Sequence, residues 1–102
     1  MKPFSQRVLE LCARVSRGKV TTYSEIAKAL GKPKAARAVG NALNKNPFAP
    51  RIPCHRVVRG SGETGGYAGG RVEKEKLLLR EGICVKNHRI PRKEFEAKTF
   101  RF

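Results

Sequence analysis

The chain has 102 residues, with 23 Lys plus Arg against 8 acids and a formal net charge of +15 at pH 7. That length predicts a single small domain over residues 1–102. No apolar run exceeds three residues, which predicts neither a transmembrane helix nor a secretory signal, and we therefore expect a cytoplasmic protein that does not span a membrane. All eight acids are Glu, which excludes triads and Ca²⁺ loops built on Asp.

The positive charge is concentrated in one stretch of the chain. Between Glu25 and Glu63 lie 37 residues that contain no acid and eight Lys or Arg. A field of one sign over that length indicates a polyanionic partner. Nucleic acid, an anionic membrane surface, an acidic protein and a merely soluble basic surface are the alternatives at this point.

The N-terminal part of the chain predicts three helices. Apolar residues recur at helical spacing over residues 4–16. Thr22 followed three residues later by Glu25 is a capping box, which starts a second helix. A Gly-Lys-Pro-Lys turn separates it from a third helix over residues 35–44. Two short helices joined by a tight turn predict a helix-turn-helix, a common DNA-binding motif.

The middle of the chain predicts loop and strand. Several prolines break helix after residue 45, and Val57-Val58 favours a short strand. Six glycines lie between residues 60 and 70, which indicates a loop whose backbone approaches another group closely.

The C-terminal part predicts a helix over residues 71–81, with Val72 and the Leu77–Leu79 run packed inward. Residues 83–90 predict two short strands that form a wing-like hairpin, and a short helix follows. The fold class is therefore mainly α with a small β component, a winged-helix-like domain containing a helix-turn-helix.

One cysteine stands in a distinctive setting, Ile52-Pro53-Cys54-His55-Arg56-Val57-Val58. Adjacent side chains usually point apart and a buried thiol is inert, so a structural role is one interpretation. The flanking His and Arg supply a cationic environment that favours a thiolate, so a nucleophile is the other. The three cysteines form no CxxC pair, and with two histidines they complete no zinc pattern, so we expect no metal.

The wider sequence resembles the O6-alkylguanine-DNA alkyltransferases, from about Phe4 to Gly82. Five family motifs match in order and spacing. They are Pro53–Val57, Lys34–Gly40, Asn46-Pro47, Tyr67–Gly70, and Leu77-Leu78 with Glu81-Gly82. Many members carry an additional N-terminal domain, so the resemblance implies the catalytic C-terminal domain alone.

The resemblance implies a set of catalytic roles. Cys54 would be the nucleophile and permanent acceptor of the alkyl group. His55 would act as its base through a water molecule, and Glu81 would orient the imidazole. A solvated carboxylate at the end of a helix is the alternative for Glu81. Asn46 would brace the active-site loop through hydrogen bonds to the main chain.

The resemblance also implies how DNA is bound. Arg37 would enter the duplex and fill the place of a flipped base, with a phosphate contact as its alternative. Tyr23 would crowd the 3′ phosphate and donate to guanine N3, although its periodicity also suits a core residue. The small residues Ala35, Ala36 and Gly40 would let the helix-turn-helix enter the minor groove.

The resemblance implies a guanine pocket that is formed mainly by backbone groups. The carbonyls of Cys54 and Val57 would accept from the exocyclic amine, and the amide of Ala68, where relatives often have Ser, would donate to O6. Tyr67 would close over the alkyl group and donate to the departing oxygen, while Gly69 would let the loop approach the base.

The resemblance therefore implies direct repair of O6-alkylguanine in duplex DNA, and we expect a cytoplasmic, nucleoid-associated monomer that needs no cofactor and has no membrane partner. The transfer would be irreversible, one alkyl group for each protein molecule. The first rival is a non-catalytic alkyltransferase-like protein that only binds the lesion, and such proteins lack the acceptor cysteine. The second is a winged-helix regulator, which leaves Pro53–Val57 and the glycine-rich loop unexplained.

Overall fold

The N-terminal helix, α1 (Phe4–Ala13), ends three residues before the predicted boundary. Its last turn tightens, because the amide of Val15 bonds to the carbonyl of Cys12 at 3.1 Å. The buried stripe is Val8 and Cys12, as the periodicity indicates. The computed structural model describes residues 2–49, 51–67 and 69–102, and none of the helices in those ranges is long and apolar enough to cross a bilayer.

The predicted helix-turn-helix is present, formed by α2 (Tyr23–Ala29) and α3 (Ala36–Asn44). The hydroxyl of Thr22 accepts the amide of Glu25 at 3.0 Å and so caps α2, as the capping box predicts. Both helices bury their apolar faces in one cluster with α1, which leaves the polar face of α3 exposed.

A two-stranded parallel sheet joins the N-terminal half to the residues after Cys54. β1 (Thr21–Thr22) pairs with β2 (Val57–Val58), with Thr21 opposite Val57. The prediction of a strand at Val57-Val58 is confirmed, and β2 follows directly on a 3₁₀ turn over Cys54–Arg56. The sheet therefore fixes where the cysteine motif sits relative to α2.

The helix α4 (Arg71–Arg80) differs from the prediction in which side chains it buries. Leu78 is fully buried, but Leu79 and Val72 are exposed. Successive helical residues lie about 100° apart, so three consecutive leucines cannot all face one core. The inward stripe is completed by Lys74, which is 0 % exposed.

The C-terminal residues form a turn and a last helix. Asn87 and His88 both have positive φ, and Lys86 and Arg89 exchange two backbone hydrogen bonds of 2.8 and 3.0 Å around them. The predicted hairpin is therefore present as a tight turn with one bridged pair rather than as two strands. The short helix predicted after it is α5 (Arg92–Lys98). The predicted class, mainly α with a small β component, is confirmed.

The two leucines of α4 give a matched test of this packing. We expect Leu78→Ala to lower the free energy of unfolding by about 2–5 kcal/mol, since it leaves a cavity in the core. Leu79→Ala, at a side chain 55 % exposed, should change it by less than about 0.5 kcal/mol. Urea denaturation of the wild type and both variants measures the difference. Equal losses would contradict the burial assigned to Leu78.

Candidate active site

The chain that leads into the cysteine motif is held by Asn46, at the end of α3. Its Nδ2 donates to the carbonyl of Ile52 at 2.9 Å, and its Oδ1 accepts the amide of Phe48 at 2.8 Å. The side chain is nearly buried, so both bonds are shielded from water. Asn46 therefore ties both ends of the segment that precedes Cys54, which is the geometry a bracing residue needs.

Cys54 and His55 lie together on the 3₁₀ turn between that segment and β2. Their exposed fractions are 5 % and 2 %. Tyr23 and Tyr67 pack against the buried cluster that contains Cys54. A buried sulfur of this kind can react only with a group that enters the protein to reach it.

Glu81, which follows α4 directly, is shared by His55 and Arg56. Its Oε2 lies 3.1 Å from Nε2 of His55. The Arg56 guanidinium donates to both carboxylate oxygens, at 2.8 and 2.7 Å, and to the carbonyl of Val15 at 2.7 Å. The Glu81 side chain is 8 % exposed, which excludes the solvated carboxylate considered from the sequence.

The residues around His55 determine its charge and which ring nitrogen carries the hydrogen. Burial lowers the pKa of the imidazole, and the neighbouring Arg56 and Lys74 cations lower it further, against the opposing effect of Glu81. The pKa of Glu81 is also lowered, because hydrogen bonds from Arg56 and His55 outweigh the effect of its burial. The carboxylate only accepts, so neutral His55 donates through Nε2 and carries its lone pair on Nδ1.

Nδ1 of His55 is therefore the basic atom of the site. It is buried and has no hydrogen-bond partner among the described residues. Buried polar atoms in native proteins are normally satisfied, so an orphan of this kind marks a place for a water molecule or a reacting group. The arrangement suits a base that takes a proton from its neighbourhood.

Lys74 is a central residue that the sequence analysis missed. Its Nζ donates to the carbonyls of Val57 at 2.7 Å and Gly66 at 3.0 Å, and lies 3.4 Å from the Tyr23 hydroxyl. Burial lowers its pKa to about 8. A signal was present in the sequence, because Lys74 stands four residues before Leu78, at a core position of the helix.

The two tyrosines of the site remain protonated at neutral pH. Burial raises the pKa of the Tyr23 hydroxyl, against the opposing charge of Arg59. Burial also raises the pKa of Tyr67, and the neighbouring Cys54 and Glu73 raise it further. Both hydroxyls are therefore available as hydrogen-bond donors.

An open cleft of about 460 Å³ lies between α3 and the glycine-rich loop; we call it the α3 cleft. Of the residues predicted to bind DNA, Arg37, Tyr23, Ala36 and Gly40 line it, whereas Ala35 does not. Four residues that the sequence analysis did not select complete the lining. They are Asn41, Asn44, Arg59 and Gly66. Arg37, Asn41 and Asn44 share one helix face at i, i+4 and i+7, a pattern that could have revealed them.

The structure describes some of the backbone groups that the resemblance implies for a guanine pocket. The carbonyl of Cys54 accepts from the amide of Val57, and the carbonyl of Val57 accepts from Lys74. Each carbonyl keeps a second lone pair for a ligand. A Cβ on Gly69 would lie 3.1 Å from the ring of Tyr67, which is tighter than most Cβ contacts, so a larger residue here would require the ring to shift. Ala68 lies outside the described residues.

Comparison with known sequences identifies close relatives. A family model described as the DNA-binding domain of 6-O-methylguanine DNA methyltransferase matches residues 3–83. The methylated-DNA–protein-cysteine methyltransferase of Methanosarcina acetivorans is 48% identical over 81 residues, which cover 79% of this chain and 52% of that protein. The human protein of the same name is 50% identical over 80 residues, 78% of this chain and 39% of its own length. The chain thus spans about half the length of these relatives, or less.

Solved structures fall into two groups. Mycobacterium tuberculosis OGT in complex with DNA superposes with a TM-score of 0.76 and 44% identity, over 79% of this chain and 50% of the other. S. pombe Atl1 in complex with damaged DNA containing O6-carboxymethylguanine superposes with a TM-score of 0.86 and 25% identity, over 100% of both chains. Among the described residues of the present chain, no cluster of His, Cys, Asp or Glu could hold a metal ion.

The lowered pKa of His55 predicts a component of stability that depends on pH. Below about pH 6.5 the unfolded chain protonates this histidine, whereas burial keeps the folded imidazole neutral to lower pH. The unfolded state then binds more protons than the folded state. The contribution of His55 to the free energy of unfolding is therefore fully present above about pH 6.5 and decreases as the pH falls toward the pKa of the folded state. Urea denaturation between about pH 5 and 8 should show this decrease for the wild type and lose it in His55→Gln.

The other histidine provides the control for this measurement. His88→Gln should retain the decrease assigned to His55. Identical pH profiles for the wild type and His55→Gln would show that the imidazole is not held neutral by burial.

Proposed function

This chain belongs to the 6-O-methylguanine DNA methyltransferase family, and on that premise we propose that it transfers an alkyl group from O6 of a guanine in duplex DNA to Cys54. The matching family model is described as a DNA-binding domain, so the catalytic assignment is ours. One observation carries it. The motif cysteine is followed in the chain by a histidine that burial keeps neutral, whose Nε2 contacts Glu81 and whose buried Nδ1 has no partner among the described residues.

The reaction balances with groups that the site contains. The Cys54 thiol gives its proton to Nδ1 of His55, through a water molecule, and the sulfur attacks the alkyl carbon. The S–C bond forms as the C–O6 bond breaks, and the electron pair of the broken bond stays on O6 of the guanine. The Tyr67 hydroxyl hydrogen-bonds to the departing O6, and the guanine anion takes up one proton, which balances the proton that His55 received from the thiol and returns through the same water molecule. The thioether on Cys54 is stable, so each molecule acts once.

Burial of the sulfur requires the base to leave the helix. A thiol that is 5 % exposed cannot reach a stacked base, and flipping costs a few kcal/mol. Arg37 is exposed on α3 and lines the α3 cleft, which supports the proposal that it fills the vacated position. The small residues Ala36 and Gly40 of the same cleft suit close contact with the minor groove. We propose one domain over residues 1–102 that acts as a monomer on cytoplasmic, nucleoid DNA.

A lesion-binding protein without transfer activity is the second candidate. The observation that favours it is the match to S. pombe Atl1, which covers all of both chains, including the residues after position 83. The presence of Cys54 in an intact Pro-Cys-His-Arg-Val motif opposes it. A regulator that merely binds DNA would need neither the Glu81–His55 contact nor the buried thiol.

Transfer of label separates these candidates. With duplex that contains radiolabelled O6-methylguanine, the wild type should take up label to at most one equivalent per protein molecule. Cys54→Ala should take up none yet still prefer the lesion duplex over an unmodified one, since its pocket is unchanged. Cys84→Ala is the matched control and should behave as the wild type. A lesion preference without transfer in the wild type would establish the second candidate.

The role of Arg37 is tested by a substrate that needs no flipping. Arg37→Ala should slow transfer from duplex DNA by about tenfold or more, because flipping costs a few kcal/mol and each 1.4 kcal/mol is a factor of ten. Its reaction with free O6-benzylguanine should be unchanged. Lys45→Ala, an exposed residue outside the cleft lining, controls for the loss of charge. Equal slowing with both substrates would exclude the role of Arg37 in flipping.

A further inference from the structure

A second groove, of about 400 Å³, continues the α3 cleft toward the C-terminal turn; we call it the side groove. It shares Arg59 and Gly66 with the α3 cleft. Beyond them it is lined by Arg71 at the start of α4 and by His88 of the turn. His88 lies after residue 83, where the match to the family model ends.

The floor of the side groove is rigid. Thr64 is 0 % exposed; its amide donates to the carbonyl of His88 at 2.9 Å and its hydroxyl to Glu75 at 2.7 Å. Nδ1 of His88 lies 3.0 Å from the same Glu75 carboxylate. The turn residues Asn87 and His88 have left-handed backbone conformations, and these contacts anchor His88. The groove is therefore built before any ligand arrives.

The charges around the side groove favour an anion. Glu63, which lines the groove, pairs with Arg89 at 3.5 Å, and the neighbouring Glu75 accepts from Thr64 and contacts His88. Arg59 and Arg71 are exposed, and within the described ranges neither lies within 4.0 Å of a carboxylate oxygen. Guanidinium groups recognise phosphate oxygens through paired, charge-assisted hydrogen bonds.

We propose that the side groove binds a backbone phosphate of the DNA strand that enters the α3 cleft, through Arg71 and His88 together with Arg59. The inference rests on the proposed function, since it takes duplex DNA as the partner. The continuity of the two cavities through Arg59 and Gly66 supports it, because one strand can run along both. The contact extends the DNA footprint to the C-terminal turn.

The salt dependence of binding tests the contact. With undamaged duplex, each lost phosphate contact reduces the slope of log K against log salt by about 0.9. We expect that reduction for Arg71→Gln. The control is Lys76→Gln, an exposed residue of the same helix outside the groove lining, which loses the same charge. A slope for Arg71→Gln equal to that of Lys76→Gln would overturn the proposal.

A second measurement locates the phosphate. Single neutral methylphosphonates are placed along the lesion strand, and at one position they should weaken binding by the wild type. That loss should disappear in Arg71→Gln and persist in Lys76→Gln. If, at every position, the methylphosphonate weakened binding equally in the wild type and in both variants, the contact would be overturned. Neither experiment requires alkyl transfer, so wild type that binds DNA but transfers no label contradicts the proposed chemistry and leaves the groove test intact.

Discussion

The site depends on one buried carboxylate, that of Glu81, which is shared by the Arg56 guanidinium and the His55 imidazole. Glu81 receives two hydrogen bonds from Arg56 and one contact from His55, and Arg56 also reaches the carbonyl of Val15 just after α1. The end of α4, the 3₁₀ turn and the end of α1 therefore meet at one group. Removing one partner of such a buried pair typically costs about 3–5 kcal/mol, because it leaves a charge uncompensated. Fold and reactive geometry cannot be separated here.

Sharing the carboxylate also decides the chemistry of the histidine. A carboxylate whose only partner is an imidazole favours the charged imidazolium. Here Arg56 already compensates the charge of Glu81, and burial holds the pKa of His55 below its ordinary value. Glu81 can then orient the ring without charging it. The result is a neutral base with a fixed tautomer, which a thiol needs as its proton acceptor.

Local signals in the sequence predicted much of the fold and of the site. The cap at Thr22, the helices of the helix-turn-helix and the short strand at Val57-Val58 follow from neighbouring residues alone. Partners far apart in sequence could not be predicted in the same way. Lys74 was missed because a lysine is normally assigned to the surface, and only the fold supplies the carbonyls of Val57 and Gly66 that satisfy it.

The distribution of acids shows where the net charge of +15 is left uncompensated. Self-repulsion at such a charge destabilises the compact state. Six of the eight acids lie between Glu63 and Glu96. Four of them form ion pairs with a Lys or Arg: Glu63 with Arg89, Glu81 with Arg56, Glu94 with Lys98 and Glu96 with Arg92. From residue 26 to residue 62 no acid is present, and that stretch supplies Arg37 and Arg59 to the α3 cleft. The stretch without acids therefore leaves uncompensated charge at the α3 cleft, and under the proposed function a phosphate backbone bound there would relieve that repulsion.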